Sequence, residues 1–224
     1  MSDPDARGTV EAICFDLDGV LIDSEHLWDA ARRAVAQENG GHWRSGATEA
    51  MMGMSSPEWS AYLHDELGVG LDPPHINERV VARLLAEYER RLPLLPGAVT
   101  TVQRLAERWR LALASSANRA VIDAFLAASG LEADFGATVS GDEVARGKPA
   151  PDIYLAAAEK LGVDPRRCAA VEDSSNGLRA GAAAGMVVVA IPNPGFPPTS
   201  DALALAETIL GSLSELTPKL VESL

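Results

Sequence analysis

From Pro96 onward the chain alternates short apolar runs with amphipathic helical stretches, and this alternation constrains the fold more than any other feature. A helical pattern over 98–109 leads into an apolar run at 110–115. The pair then repeats as 119–129 with Thr138-Val139, 151–161 with 168–172, and 176–184 with 186–191. Repeated strand–helix units of this kind build a parallel sheet with helices on its faces. One further apolar run, Val10-Glu11-Ala12-Ile13-Cys14-Phe15, stands apart near the start and reads as a buried strand. From about Ser24 to Pro93 the pattern is helical throughout. Ser24 is placed to cap a helix running to Glu38, with Leu27, Ala31, Ala34 and Val35 on one face. Further helices are expected after Thr48, after Ser56-Pro57 and over 74–92. The expectation is a doubly wound α/β sheet interrupted after its first strand by an all-helical insert. The divisions fall at 1–23 with 94–224 for the sheet domain and 24–93 for the insert.

The apolar fraction of 47% is enough for a substantial core. With 19 basic against 32 acidic residues the net charge is −13, which argues against nucleic acid or an anionic membrane as the partner. An anionic substrate would have to find its positive charge in a metal and a few chosen side chains. Lysines are scarce, at 148, 160 and 219. Cys14 and Cys168 lie in separate apolar segments and read as reduced, buried thiols with no close pairing. The polar, acidic start Met1-Ser2-Asp3-Pro4-Asp5 is unlike a signal peptide, and no apolar run reaches transmembrane length. A cytoplasmic monomer is the expectation.

Chemistry-capable residues sit where the expected strands end. Asp16-Leu17-Asp18-Gly19 follows the first strand. In an open α/β sheet, ligands bind at that end. Two carboxylates two residues apart suit a hard cation such as Mg²⁺, and carboxylates also serve as nucleophiles and as general acids or bases. The same tetrapeptide occurs in plain turns. A calcium-loop reading fails, because Val20, Ile22 and Leu27 would occupy ligand positions. The second strand ends in Ser115-Ser116 followed by Asn118, whose polar groups could hold phosphate oxygens or simply cap the next helix. Lys148 is set between Gly147 and Pro149, where its ammonium could neutralise an anion at Asp16. Glu172-Asp173-Ser174 ends a fourth strand; these acids could complete a cation site or cap a helix.

In this order the motifs resemble those of the haloacid dehalogenase superfamily, subfamily I. Asp16 to Glu25 matches its first motif, Ser115 its second, Gly147-Lys148-Pro149-Ala150-Pro151-Asp152 its third and Glu172-Asp173-Ser174 its fourth. Asp23-Ser24-Glu25-His26-Leu27-Trp28 is most similar to the β-phosphoglucomutase-like phosphatases of hexitol and 2-deoxyhexose 6-phosphates. The resemblance implies a Rossmann-like core, with the helical insert as its cap. It assigns Asp16 as nucleophile and Asp18 as acid and base. Asp16, Asp173, Glu172 and the backbone carbonyl of Asp18 become the Mg²⁺ site. Ser115 and Lys148 hold the phosphoryl group, and Ser116, Asn118, Gly53 and Trp28 are placed toward substrate. The implied partner is a small phosphate ester.

Within the superfamily, dehalogenases of this type lack the second carboxylate, so Asp18 favours phosphoryl transfer. Phosphonate hydrolases use a cap lysine, and 24–93 contains none. The mutase uses a His where Trp28 stands, and a Lys and an Arg at positions that align with Met52 and Ser56. Hydrolysis of a sugar or polyol monophosphate is therefore expected. The alternatives are a phosphosugar mutase and a non-catalytic phosphosugar-binding protein.

Overall fold

The computed structural model describes residues 9–224. The acidic start of the chain, residues 1–5, lies outside them. Six parallel strands form one sheet in the order β3-β2-β1-β4-β5-β6. They are β1 (Ala12–Phe15), β2 (Arg110–Ser115), β3 (Ala137–Ser140), β4 (Cys168–Glu172), β5 (Val187–Ala190) and β6 (Thr208–Ile209). The order runs one way from β1 to β3 and the other way from β1 to β6. The crevice at such a reversal is where an open sheet receives ligands, and β1 ends there. The expected strand limits agree closely; β6, only two residues long, carries no apolar pattern and was not expected.

Alternate residues of each strand point to opposite faces. One face carries Ile13, Phe15, Leu113, Val171 and Val189 in a large apolar core. The other is small, with Ala12, Cys14, Ala112, Ala114 and Ala170. Small residues let a helix approach closely, and α7 (Asp152–Leu161) packs there against β1, β2 and β3. The remaining sheet helices are α5 (Ala98–Ala106), α6 (Arg119–Ser129), α8 (Ser175–Ala183), α9 (Ser200–Leu203) and α10 (Pro218–Val221). The two cysteines are closer than expected. Ala12 lies opposite Cys168 across the β1–β4 ladder, so Cys14 is only two residues further along the same face. The thiols are free, Cys168 Sγ donates to the Asp164 carbonyl at 3.4 Å, and the neighbouring Cys168 together with burial pushes the Cys14 thiol pKa up.

Four helices separate β1 from α5: α1 (Glu25–Glu38), α2 (Ala47–Met51), α3 (Ser56–Asp65) and α4 (Pro73–Arg90). Pro57 sits in the first turn of α3, and the Glu58 carboxylate accepts the Ser55 backbone N–H at 2.7 Å, satisfying a free donor at that terminus. The α4 helix packs on α1, α3 and α6, tying the block to the sheet domain. The two connections run side by side: Asp23 N–H donates to the Pro93 carbonyl at 2.8 Å and Leu95 N–H to the Leu21 carbonyl at 2.9 Å. Two expectations for α1 are corrected. Ser24 makes no side-chain cap, because its hydroxyl is turned toward Asp18. The buried face is Trp28, Ala31, Arg32, Val35 and Ala36, while Leu27 and Ala34 are half-buried beside it.

Candidate active site

Asp16 follows β1 directly, and its backbone N–H continues the ladder by donating to the Val171 carbonyl at 3.0 Å. That places Asp16 beside the end of β4, where Glu172 and Asp173 emerge. Asp16, Glu172 and Asp173 are all buried, and one oxygen from each lies within 4.8 Å of the others. The chain turns sharply after Asp18, with Gly19 at φ +80° and its N–H donating to the Ile22 carbonyl at 2.8 Å. A Cβ at Gly19 would stand 2.0 Å from Asp173 Oδ2, so only glycine lets this turn pass the carboxylate. The same holds at Gly177, where a Cβ would fall 1.9 Å from the Glu172 carboxyl group.

Lys148 reaches into this cluster from the loop before α7. Its Nζ donates to Asp16 Oδ1 at 2.6 Å, Glu172 Oε1 at 2.5 Å and the Ala114 carbonyl at 3.2 Å. Burial disfavours the ammonium, but the two carboxylates outweigh it and hold its pKa above the ordinary lysine value. Glu172 is saturated. Its Oε1 also accepts from the Tyr154 hydroxyl at 2.8 Å, and its Oε2 accepts the N–H groups of Asp173 and Ser174 at 3.1 and 3.3 Å. By contrast Asp173 Oδ2 is buried with no hydrogen-bond partner among the described residues. Burial, then the charges of Glu172 and Asp16, raise the Asp173 pKa well above the usual carboxylate value. Burial raises Asp16 in the same way, with Glu172 and Asp18 adding to it and Lys148 opposing it. A buried acidic group with an orphaned oxygen is the environment that a hard cation relieves. Asp16 and Asp173 fit as direct ligands, with Glu172 locking the frame.

The Asp18 side chain lies apart from this cluster. Its Oδ1 accepts the Trp28 indole N–H at 2.8 Å and the Ser24 hydroxyl, while its Oδ2 faces the Ser115 hydroxyl at 3.4 Å. Both Asp18 oxygens thus accept from neighbouring side chains, two donors on Oδ1 and the Ser115 hydroxyl on Oδ2. Trp28 and Ser24 come from α1 and the turn before it. The helical block thus orients a side chain of the sheet domain.

A narrow cavity of about 50 Å³ opens beside these groups, walled by Asp16, Asp18, Lys148 and Asp173 from the sheet and by Trp28, Gly53 and Met54 from the helical block. Ser116 lies on its wall, with a buried hydroxyl that has no hydrogen-bond partner among the described residues. The neighbouring Ser115 hydroxyl accepts Ala117 N–H at 3.1 Å and faces Asp18. Asn118 is placed elsewhere, in the seam between the two parts. It accepts the Ser56 hydroxyl at 2.6 Å and donates to Asp142 at 3.2 Å. Met52 contributes its carbonyl to the same seam, accepting from Asn176 at 3.4 Å.

Sequence reasoning missed Tyr154, Ser24, Glu25 and Arg32. Tyr154 carries only an indirect signal, one helical turn into the segment that follows Lys148. Glu25, Trp28 and Arg32 stand at i, i+3 and i+7 on α1 and line the cavity as one stripe. An apolar-face pattern does not reveal this stripe, because two of its three residues are charged.

The family model for haloacid dehalogenase-like hydrolases matches residues 10–185. Hexitol phosphatase B of Escherichia coli (strain K12) is 35% identical over 225 aligned residues, which span 93% of this chain and 95% of that protein. The crystal structure of CbbY from Rhodobacter sphaeroides in complex with phosphate superimposes with a TM-score of 0.86 at 30% identity, covering 96% of this chain and all of that one. A β-phosphoglucomutase from Clostridium difficile shares the fold, with a TM-score of 0.83 at 23% identity over 96% of each chain. With Asp16, Asp18, Lys148 and Asp173 gathered around one cavity and the matching family model spanning most of its length, the chain belongs to the haloacid dehalogenase-like hydrolases.

Proposed function

We propose that this enzyme hydrolyses the phosphate monoester of a small sugar or polyol, with Asp16 as the nucleophile and Mg²⁺ as cofactor. A hydrolase of this family with phosphatases as full-length relatives is a phosphatase; the proposal concerns its substrate, its metal and its intermediate. The observation that carries it is the division of labour between two carboxylates two residues apart. Asp16 faces Lys148 and the orphaned Asp173, whereas Asp18 is held away from them by Trp28 and Ser24. One is set for phosphorus and the other for protons.

In the first step an Asp16 oxygen attacks phosphorus and the bond to the leaving oxygen breaks, while Asp18 gives that oxygen its proton. In the second, water attacks the aspartyl phosphate, Asp18 takes the water's proton, and phosphate leaves with Asp16 regenerated as a carboxylate. One carboxyl can serve as acid and then base because the first step leaves it deprotonated. Asp16, Asp173 and the Glu172 frame would hold Mg²⁺, which supplies positive charge to the transferring phosphoryl group. Lys148 holds Asp16 in line and adds a fixed positive charge, and the free hydroxyl of Ser116 is placed to donate to a phosphoryl oxygen.

The cavity has room for a few waters and less than a sugar phosphate requires. Substrate admission therefore needs the helical block to move off the sheet about its paired connections, opening the Ser56–Asn118 contact. On closing, the block returns Trp28 to Asp18, so the acid is set only when water is excluded.

The test is phosphate release from a panel of sugar, polyol, nucleotide and two-carbon phosphates, with Mg²⁺ and with chelator. Preference for a hexose or hexitol phosphate, lost with chelator and abolished in Asp16→Asn, is expected. Release by Asp16→Asn at the wild-type rate would overturn the nucleophile assignment.

A further inference from the structure

Arg32 is a charged residue buried in the helical block at 6% exposure, and it belongs to the cavity wall. Its guanidinium lies 5.0 Å from the ring centroids of both Trp28 and Trp59, which meet edge to face. Two aromatic rings hold a cation in place without using its N–H groups. Its Nε is buried with no hydrogen-bond partner, and no carboxylate among the described residues forms an ion pair with it. A buried donor left without a partner is costly, so a position like this one calls for an acceptor brought by something else. Two turns earlier on the same face of α1 is Glu25, half-buried, on the same wall, and with no hydrogen bond from its carboxyl group to any described side chain. The stripe thus presents a fixed donor fork and an acceptor, about two helical turns apart, on either side of Trp28.

The charge around the cavity decides what they read. Asp16, Asp18, Glu25 and Asp173 face it against Lys148 and Arg32. Lys148 is committed to Asp16 and Glu172. Arg32 is thus the one uncommitted base lining the cavity among the described residues, and an acid rather than a second base stands with it, so this wall offers no paired cationic seat for a second anionic group on the substrate. An uncharged group with several hydroxyls suits a donor and an acceptor set apart, because each hydroxyl both donates and accepts.

We propose that Arg32 and Glu25 are specificity-determining residues that read the hydroxyls of an uncharged, polyhydroxylated leaving group, Arg32 donating to one hydroxyl oxygen and Glu25 accepting from another. This rests on the phosphatase reading above and narrows its substrate class. Positions 52 and 56 of the block carry Met and Ser rather than bases; the basic group that reaches the cavity comes from position 32 instead, accompanied by an acid.

The experiment compares kcat/KM on hexitol 6-phosphate, on hexyl phosphate, which has the same carbon number and no hydroxyls, and on a hexose bisphosphate. It uses the wild type, Arg32→Lys and Glu25→Gln. Arg32→Lys keeps a cation between the two rings, and Glu25→Gln keeps the shape of the side chain, so both preserve packing; circular dichroism and melting temperature verify the fold. In the wild type the hexitol ester is expected to be favoured over both others. Each variant is expected to reduce kcat/KM on the hexitol ester by about 10- to 100-fold more than on hexyl phosphate. Equal losses on the two monoesters would make Arg32 and Glu25 structural and overturn the proposal. A wild-type preference for the bisphosphate that Arg32→Lys erases would overturn it in favour of an anion reader. If the wild type hydrolyses hexyl phosphate and ignores the hexitol ester, the sugar or polyol reading itself falls. If it prefers the hexitol ester and both variants keep that preference, only the inference about these two residues falls.

Discussion

Replacing Lys148 by Met tests how the buried charges are balanced. Lys148 is 4% exposed, and its ammonium lies 2.6 Å from Asp16 and 2.5 Å from Glu172. Methionine fills similar space, so the substitution removes charge with little loss of volume. Two carboxylates then face each other in the interior with no cation. Breaking a buried ion pair by deleting one partner costs about 3–5 kcal/mol, because the charge left behind is uncompensated. For a chain of this length each kcal/mol lowers the melting temperature by about 2–4 °C, so Lys148→Met should melt about 6–20 °C below the wild type in chelator at neutral pH. Adding Asp16→Asn removes one of the two stranded charges and leaves every hydrogen bond that Glu172 accepts in place, and should return part of that loss. Activity should fall at least 100-fold in the single variant, on the order of losing one oriented charge stabiliser, and should not return in the double. Thermal unfolding followed by circular dichroism reads the first pair of effects and phosphate release the second. If Lys148→Met melts with the wild type, or if Asp16→Asn deepens the loss instead of relieving it, the carboxylates are not held as charged partners and the electrostatic account is wrong.

Three further outcomes are expected. Trp28→Phe keeps the aromatic packing but deletes the donor to Asp18, so kcat should drop by about 10-fold with KM little changed; steady-state kinetics showing a pure KM effect would assign Trp28 to binding instead. Gly19→Ala places a methyl 2.0 Å from Asp173 Oδ2 at a backbone φ of +80°, and the Mg²⁺ concentration giving half-maximal activity should rise by about 10-fold or more as Asp173 is displaced; an unchanged Mg²⁺ titration would refute the role given to Asp173. Glu25 supplies a pH signature: burial, with Asp18 nearby, lifts its pKa from 4.5 to about 7. A carboxyl raised on folding binds its proton more tightly in the native state, so its contribution to stability is complete below pH 4.5 and is lost as pH rises toward 7. The loss has an upper limit of roughly 3 kcal/mol, and Glu25→Gln should flatten the denaturant-measured stability profile across that interval. A profile unchanged by the substitution would show that Glu25 is solvated.

Much of the sheet domain was legible in the sequence because its signals are local. The limits of β2, β4 and α6 follow from apolar runs that end at turn formers, and the βα alternation dictates a parallel sheet whatever the order of the strands. The convergence of Asp16, Asp18, Lys148 and Asp173 was legible for a related reason. Asp16, Asp18 and Asp173 stand at or just beyond a strand end, Lys148 lies in the loop between β3 and α7, and in an open sheet all such ends and the loops that follow them lie on one edge.

What the sequence could not determine depends on contacts between residues far apart in the chain. Ser24 reads as a helix cap, since its own neighbourhood offers free N–H groups; only the turn at Gly19 brings Asp18 close enough to take its hydroxyl instead. Asn118 reads as a phosphate donor beside Ser115, yet α3 brings Ser56, sixty-two residues away, to its oxygen. Cys14 and Cys168 read as separate thiols until the β1–β4 register sets them on one face. Arg32 carries no local signal, and its place between two tryptophans of different helices emerges only when α1 and α3 are packed. The sequence alone therefore determined the α/β class and the gathering of acids and a lysine at one edge of the sheet, because hydrophobic period and strand-end position are properties of short stretches. The tertiary structure decided which oxygens are saturated, which are left for a cation and what faces the leaving group, because those depend on distances that close only when the helical block lies on the sheet.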